Sequence, residues 1–262
     1  MAISRGIAAF KSTKAQIKAE QEARERPRAE YFNWKNNKSK DDKDVVFVRF
    51  LQEFDEGVEG YDPNYGLPLS AVEHQAPGKE GFKRRASCTA DEGACFACER
   101  HADDRLNAPV VDGKKKLKGW GQKRNFYIWA LVDYKDGEGV KPVVISRSFN
   151  SSFVDDLIQE VEDDDNNQIT NKMWRITRSG TGTSTAWKLK EAKGIDLYDA
   201  IDVEVIDLEE AVLRKISYEE QPGYYGAVYQ DGDALDDDTV VATVETGNQI
   251  TGAKTESGEL QW

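Results

Sequence analysis

Hydrophobic and polar positions change period several times along this chain, and each change marks a different kind of element. In residues 1–30, Ile3, Ile7, Phe10, Lys14 and Ile17 fall at helical spacing among lysines and arginines. This predicts a basic amphipathic helix ended by Pro27. Asn36 to Asp44 is a polar linker. Val45 to Phe54, VVFVRFLQEF, alternates instead, with Phe47, Arg49 and Leu51 on one face and Val46, Val48 and Phe50 on the other. That is a strand, and an arginine in its middle predicts that one face is wet. Gly57 to Leu69 is a loop carrying Tyr61 and Tyr65.

Beyond residue 104 strand signals return, dense in aromatics. RNFYIWALVDY, from Arg124 to Tyr134, is the longest strand signal, and a hairpin turn through Asp136-Gly137-Glu138-Gly139 leads into Lys141 to Ser148. Ser152 is placed to cap a helix from Phe153 to Glu162, with Phe153, Leu157, Ile158 and Val161 on its buried side. Met173 to Thr177 and Thr185 to Leu189 are two further strands across a Gly180-Thr181-Gly182 turn. About five short strands and one helix predict a mainly β fold, an OB-type barrel. From Gly194 the chain turns acidic. Asp207 is placed to cap a short helix, Leu208 to Ile216, and residues 217–262 are expected to be largely disordered because they are Gly-, Asp- and Thr-rich.

Charge follows the same divisions. Residues 1–40 hold ten Lys/Arg against four Asp/Glu, residues 41–190 hold 22 against 26, and residues 191–262 hold 4 against 18. A basic head and an acidic end suggest nucleic acid as a partner at one end and a mimic of its charge at the other. No apolar run approaches the roughly 18 residues that would span a membrane.

The chemistry is concentrated in one stretch, Leu69 to Asp104. It contains every histidine and cysteine of the chain: His74, Cys88, Cys95, Cys98 and His101. Cys95 and Cys98 have the C-x2-C spacing that lets two thiolates on one turn reach the same tetrahedral metal, and Gly93 permits a sharp turn between Cys88 and that pair. Three cysteines cannot all pair as disulfides, and no leader-like segment precedes them, so a reducing compartment is expected. The fourth ligand is His74 or His101. A ligand returning from a separate loop closes a tetrahedron more easily than three crowded into seven residues, which favours His74. One His and three Cys make a closed structural zinc site with no open position for chemistry. The deaminase pattern is missing, since Gln75-Ala76 follows His74 and Ala94 precedes Cys95, and there is no Walker motif. The expectation is therefore one structural zinc and no enzyme.

A second chemical signal is Asp112 to Gln122, DGKKKLKGWGQ, where Lys114, Lys115, Lys116 and Lys118 surround Trp120. Lysines around an aromatic suit a nucleic-acid backbone with a base to stack; a solvated charged loop is the plain alternative.

Together these pieces resemble the single-stranded DNA-binding proteins of T-even bacteriophages, the gene 32 protein family. VVFVRFLQEF resembles the family's first barrel strand. The order His74, Cys88, Cys95, Cys98 resembles its zinc subdomain, and NFYIWALVDY with its Gly turn resembles the long strand that follows. Lys11-Ser12-Thr13, with Lys14, is similar to the basic-hydroxyl motif of its self-association arm, and the acidic end matches in position and sign. The resemblance implies a basic N-terminal arm and linker over 1–44 and an OB-fold-like core over 45–193. It places a zinc subdomain at about 69–104 and an acidic tail over 194–262. It further implies sequence-independent binding of single strands during phage replication, recombination and repair, in the cytoplasm of an infected bacterial host. Other copies of the chain would dock through the arm, and replication or recombination proteins through the tail. Strand contacts would come from Arg49, Lys114, Lys115, Lys116, Lys118, Trp120, Lys123, Arg124, Tyr127, Trp129, Arg147, Trp174, Arg175 and Arg178, with a place in the core the equal alternative for Trp129 and Trp174, as for Trp187. The basic motif is thinner here, the Cys88–Cys95 interval is short and the tail lacks a serine run, departures that bear on cooperativity and tail partners. A zinc-ribbon adaptor, acting through protein contacts of its acidic tail, is the alternative.

Overall fold

The computed structural model describes residues 6–7, 10–11, 13–14, 17–18, 29–37, 43–78, 81–134, 139–180, 185–198 and 206–226. The strands that alternation predicts are present, and one of them organises the rest. β6 (Gln122–Asp133) is twelve residues long and pairs along one edge with two strands placed end to end. β2 (Leu69–Gln75) covers its first half and β1 (Val45–Phe50) its second, while β7 (Val140–Ser148) runs antiparallel along the other edge. β3 (Arg85–Ser87) extends the sheet beyond β2; β8 (Trp174–Ser179) and then β9 (Ala186–Glu191) extend it beyond β1, giving seven antiparallel strands. A two-stranded hairpin, β4 (Val110–Val111) and β5 (Lys114–Lys115), stands apart. Its turn is Asp112-Gly113, both at positive φ, the conformation that a tight hairpin requires.

Alternation sorts each strand into two faces. Val46, Val48 and Phe50 of β1, Phe126, Ile128, Ala130 and Val132 of β6, and Trp174, Ile176, Trp187 and Leu189 of β8 and β9 share the largest buried cluster. A helix from Ser152 to Glu162, here α2, closes that cluster with Phe153, Val154 and Leu157. Its cap differs from expectation. Ser151 is the N-cap residue, and Ser152, one position inside, donates its hydroxyl to the Trp187 carbonyl. Ile158 faces solvent, and Val154 takes the buried place assigned to it. The opposite face of β6, with Tyr127, Trp129 and Leu131, is roofed by Tyr198, Ile206, and Leu208 and Val212 of α3 (Leu208–Val212). Asp207 caps α3, as predicted, by accepting from the Glu210 amide. The sheet curls enough to bring edge strands β7 and β9 close, with the Arg147 guanidinium 4.2 Å from the Trp187 ring, although no strand pairing joins them among the described residues. The outer edge of β7 is instead covered by Glu30 to Phe32, through backbone bonds to Val144.

Three expectations change. β1 ends at Phe50, because Gln52 and Glu53 leave the ladder to satisfy backbone with their side chains: Gln52 accepts from the Trp129 amide, and Glu53 accepts from the amides of Ile169 and Thr170. α3 ends at Val212 and not at Ile216, because Leu213 turns to extended backbone. Residues 217–226, expected to be disordered, are folded and continue the segment that begins at 213. They run across the metal-ligand region and end in α4 (Gln221–Gly226), which buries Gln221, Tyr224 and Tyr225. The remainder of the expected tail, 227–262, lies outside the described residues. In the N-terminal arm the described residues between Ile7 and Lys18 are helical, and Ile7, Phe10 and Ile17 are exposed; Ile3, Ser12 and Pro27 lie outside the described residues. No described helix is long and apolar enough to cross a membrane.

Candidate metal centre

Four side chains from three elements meet at one end of the β2–β6 ladder. His74 comes from β2, where it stands opposite Gln122, so it sits on a sheet rather than on the loop that the sequence suggested. Cys88 follows β3 directly. Cys95 and Cys98 bracket the start of α1 (Phe96–Asn107), with Cys95 as its N-cap residue. The turn into Cys95 passes through Gly93 at φ 127°, a conformation that glycine alone adopts readily. Thr89 fixes that turn by donating to the Ala94 carbonyl at 2.6 Å.

The ligand atoms of His74, Cys88, Cys95 and Cys98 all lie within 4.8 Å of one another. Cys88 and Cys98 sulfurs are 3.5 Å apart, and the Cys98 sulfur is 3.3 Å from His74 Nε2. Ligands about 2.3 Å from a tetrahedral ion stand roughly 3.8 Å from each other, so this cluster has the dimensions of a closed four-coordinate site. The imidazole is set for the task. His74 Nδ1 lies 3.0 Å from the Trp120 carbonyl, which can only accept, so Nδ1 carries the proton and Nε2 presents its lone pair to the sulfurs. Burial holds the His74 pKa below its ordinary value, which keeps the ring neutral, as a ligand must be. His101 lies within α1, three residues after Cys98, and is not part of the cluster.

The thiols also call for a cation. Burial pushes the Cys98 thiol up to about 12, and burial likewise raises Cys88. At Cys95 burial pushes upward too, but hydrogen bonds from the Thr89 and Cys98 backbone and from the other two thiols outweigh it, so its thiol lies below the ordinary range. A thiolate on any one of the three opposes ionisation of the other two, because the ligand atoms lie within 4.8 Å of one another. A divalent ion bound by all three removes that opposition, which couples metal uptake to proton release. Gln122 Nε2, 3.0 Å from the Cys98 sulfur, adds a donor suited to a thiolate. These residues could therefore hold a metal ion, with no open ligand position.

The predicted strand-contact residues are not brought together. Trp120 is buried in the cluster behind the metal ligands, edge-on to Phe96 and Tyr225. Tyr127 and Trp129 lie under the roof of the outer face, with the Tyr127 hydroxyl donating to Glu73, and Trp174 is fully buried in the main core. A base stacks only on an exposed ring face, so these four are corrected from platforms to core. Arg49 is committed to the carbonyls of Thr170 and Tyr198, and Arg178 to Asp44. Arg147 lies half-buried over Trp187, its pKa lowered by burial. Lys115 donates to the Arg105 carbonyl, and the Lys118 amide is bound by Asp104, while Lys114, Lys116, Lys123, Arg124 and Arg175 have exposed side chains. In the arm, Lys11, Thr13 and Lys14 are helical and exposed.

Three residues that the sequence reasoning missed share one open surface. Phe47 of β1 stands directly across from Arg175 of β8, which stands across from Lys190 of β9; Lys188 lies one pleat further along the same face. The signal was present in AWKLKE, where the lysines alternate with the buried Trp187 and Leu189. The chain matches no protein-family model, and no curated protein matches it.

Proposed function

We propose that this protein binds single-stranded nucleic acid, DNA in the first instance, on a curled antiparallel sheet of OB type steadied by a structural zinc. One observation carries the reading: among the described residues Arg175, Lys188 and Lys190 stand exposed on the outward face of β8 and β9, next to Phe47 of β1, whereas the same face of β6 is roofed by Tyr198, Ile206, Leu208 and Val212. On that open face Phe47 is half-buried and belongs to none of the buried clusters, and it is flanked by Arg175, Lys188 and Lys190. Among the described residues these three cations form no ion pair. Cations that track phosphates, beside a ring that stacks on unpaired bases, favour single strands because a duplex hides its base faces; each stacked base contributes roughly 1–3 kcal/mol. Displaced counterions make such binding weaken steeply with salt. Three thiolates and one imidazole select zinc over the harder divalent ions.

The test is a titration of end-labelled oligo-dT and of a matched duplex, followed by anisotropy at low and high salt. Single-strand preference with a steep salt slope, lost in Phe47→Ala and in Arg175→Glu, is the expected result. Equal or no binding of the two nucleic acids would sink the proposal. A second reading, an adaptor that binds protein, is favoured by Leu106, Val110 and Val111, three exposed apolar side chains around the end of α1 and the β4–β5 hairpin. It predicts no response to oligo-dT.

A further inference from the structure

The segment 213–226 makes a contact beside every one of the four metal ligands. The Arg214 carbonyl accepts from the Ser87 amide at 2.8 Å, one residue before Cys88. The Gln221 side-chain oxygen accepts from the Phe96 amide at 3.0 Å, one residue after Cys95. The Tyr218 hydroxyl donates to Glu99 at 2.9 Å, one residue after Cys98. The Tyr225 ring stands edge-on to Trp120, the residue whose carbonyl orients His74, with ring centroids 5.3 Å apart, and it also stacks on Phe96.

Gln221 is the centre of this arrangement. Its side chain is fully buried, and its amide nitrogen donates to the Thr89 hydroxyl at 2.9 Å and to the Ile216 carbonyl at 3.0 Å. Thr89 in turn holds the Ala94 carbonyl. One side chain thus fixes both ends of the turn that presents Cys95, from 125 residues away in sequence. We infer that Gln221 is a positioning residue of the metal centre, and that docking of 213–226 and retention of the metal are one coupled equilibrium. This rests on the reading of the four-ligand cluster as a metal site. Coupling of this kind is reciprocal: a segment that tightens the metal is itself held by the metal. The chain beyond residue 226 carries eight Asp/Glu and one Lys, so the metal-bound face of the module is also where the acidic end of the protein is rooted.

The experiment compares the full-length parent with Gln221→Met, which keeps the volume without the hydrogen bonds, and with Gln221→Glu, which sets a charge beside the Cys95 sulfur, 3.6 Å from the present amide oxygen. Metal transfer to a chromophoric chelator is timed, and the visible spectrum of the cobalt-loaded forms is recorded. Loss of an outer-shell partner at a metal site typically costs 10- to 100-fold, so both variants should release metal that much faster, Glu the more so, with an altered cobalt spectrum. In the parent, chelation should raise hydrogen exchange over 214–226 while β6 and β7 remain protected. Parent-like release from folded Gln221→Met, or a metal-free parent that keeps 214–226 protected, overturns the inference alone. A parent that takes up no metal overturns the reading of the site and the inference with it.

Discussion

The sheet core and the metal module are built on the same strand and held by different physics. The core gathers eighteen buried residues, among them Phe50, Ile128, Phe153, Trp174 and Trp187, and excludes water from large side chains. The module's buried cluster is Ala76, Ala86, Cys95, Ala97 and Trp120, completed by Tyr224 and Tyr225 from the far end of the chain. Without the two tyrosines it has one large buried side chain, Trp120, beside three alanines and a thiol, so at about 25 cal/mol per Å² it contributes far less than the core. The difference teaches where cross-links are needed. A region that supplies little hydrophobic stabilisation of its own draws on a borrowed segment, and its four clustered ligands could hold an ion that adds a cross-link.

Removing the metal is the strongest way to break this comparison. Structural zinc contributes apparent binding energies on the order of 10 kcal/mol or more in small domains, so chelation or Cys98→Ser should unfold the module while leaving the core. Hydrogen exchange would show β3 and α1 losing protection and β6 and β7 keeping theirs; simultaneous loss of both would erase the distinction. The core is attacked by Trp174→Ala, which deletes a fully buried indole whose Nε1 donates to the Ile169 carbonyl. A cost of about 3–5 kcal/mol in urea unfolding is expected, with the metal still bound in the folded fraction. Glu53→Gln removes a buried carboxylate that receives the Ile169 and Thr170 amides and the Thr170 hydroxyl. It should cost about 1–3 kcal/mol, again without loss of metal.

The smallest effect sharpens the comparison through pH. The Lys172 ammonium and the Gln168 amide beside Asp164 hold its carboxyl down at about 2. A depressed carboxylate pKa gives stability that is present above the ordinary carboxylate range and is lost as pH falls through the folded value. Asp164→Asn should therefore lower core stability modestly at pH 7, and the gap from the parent should close between about pH 4 and pH 2. A gap that stayed constant over that range would exclude the pair as its source.

What was legible in the sequence divides along the same line. Alternation made β1, β8 and β9 readable, because a half-buried strand repeats every two residues, whereas β6 and β7 were readable from their density of aromatic and β-branched residues, β6 being buried on both faces. The C-x2-C pair and His74 were readable because a tetrahedral ion constrains spacing. The segment 213–226 was not. QPGYYG has no periodicity and sits in acidic, Gly-rich sequence, so only its tertiary contacts order it. Burial of Trp120 was hidden for a related reason: lysines on either side of it describe the exposed β5 hairpin and say nothing about the turn that follows. Gln52 and Glu53 ended β1 early through side-chain bonds to distant backbone, which no local pattern reports.

The position of His74 has one more consequence. It is paired in the ladder with Gln122, and both members of that pair reach the thiolate cluster, His74 through Nε2 and Gln122 through its amide. A slip of β2 by one residue would send the imidazole to the opposite side of the sheet, away from the sulfurs. A metal held by the four ligands would thus act as an index pin for strand alignment. A misaligned hairpin would lack its fourth ligand, so a metal there would favour the one register in which the module and the core agree.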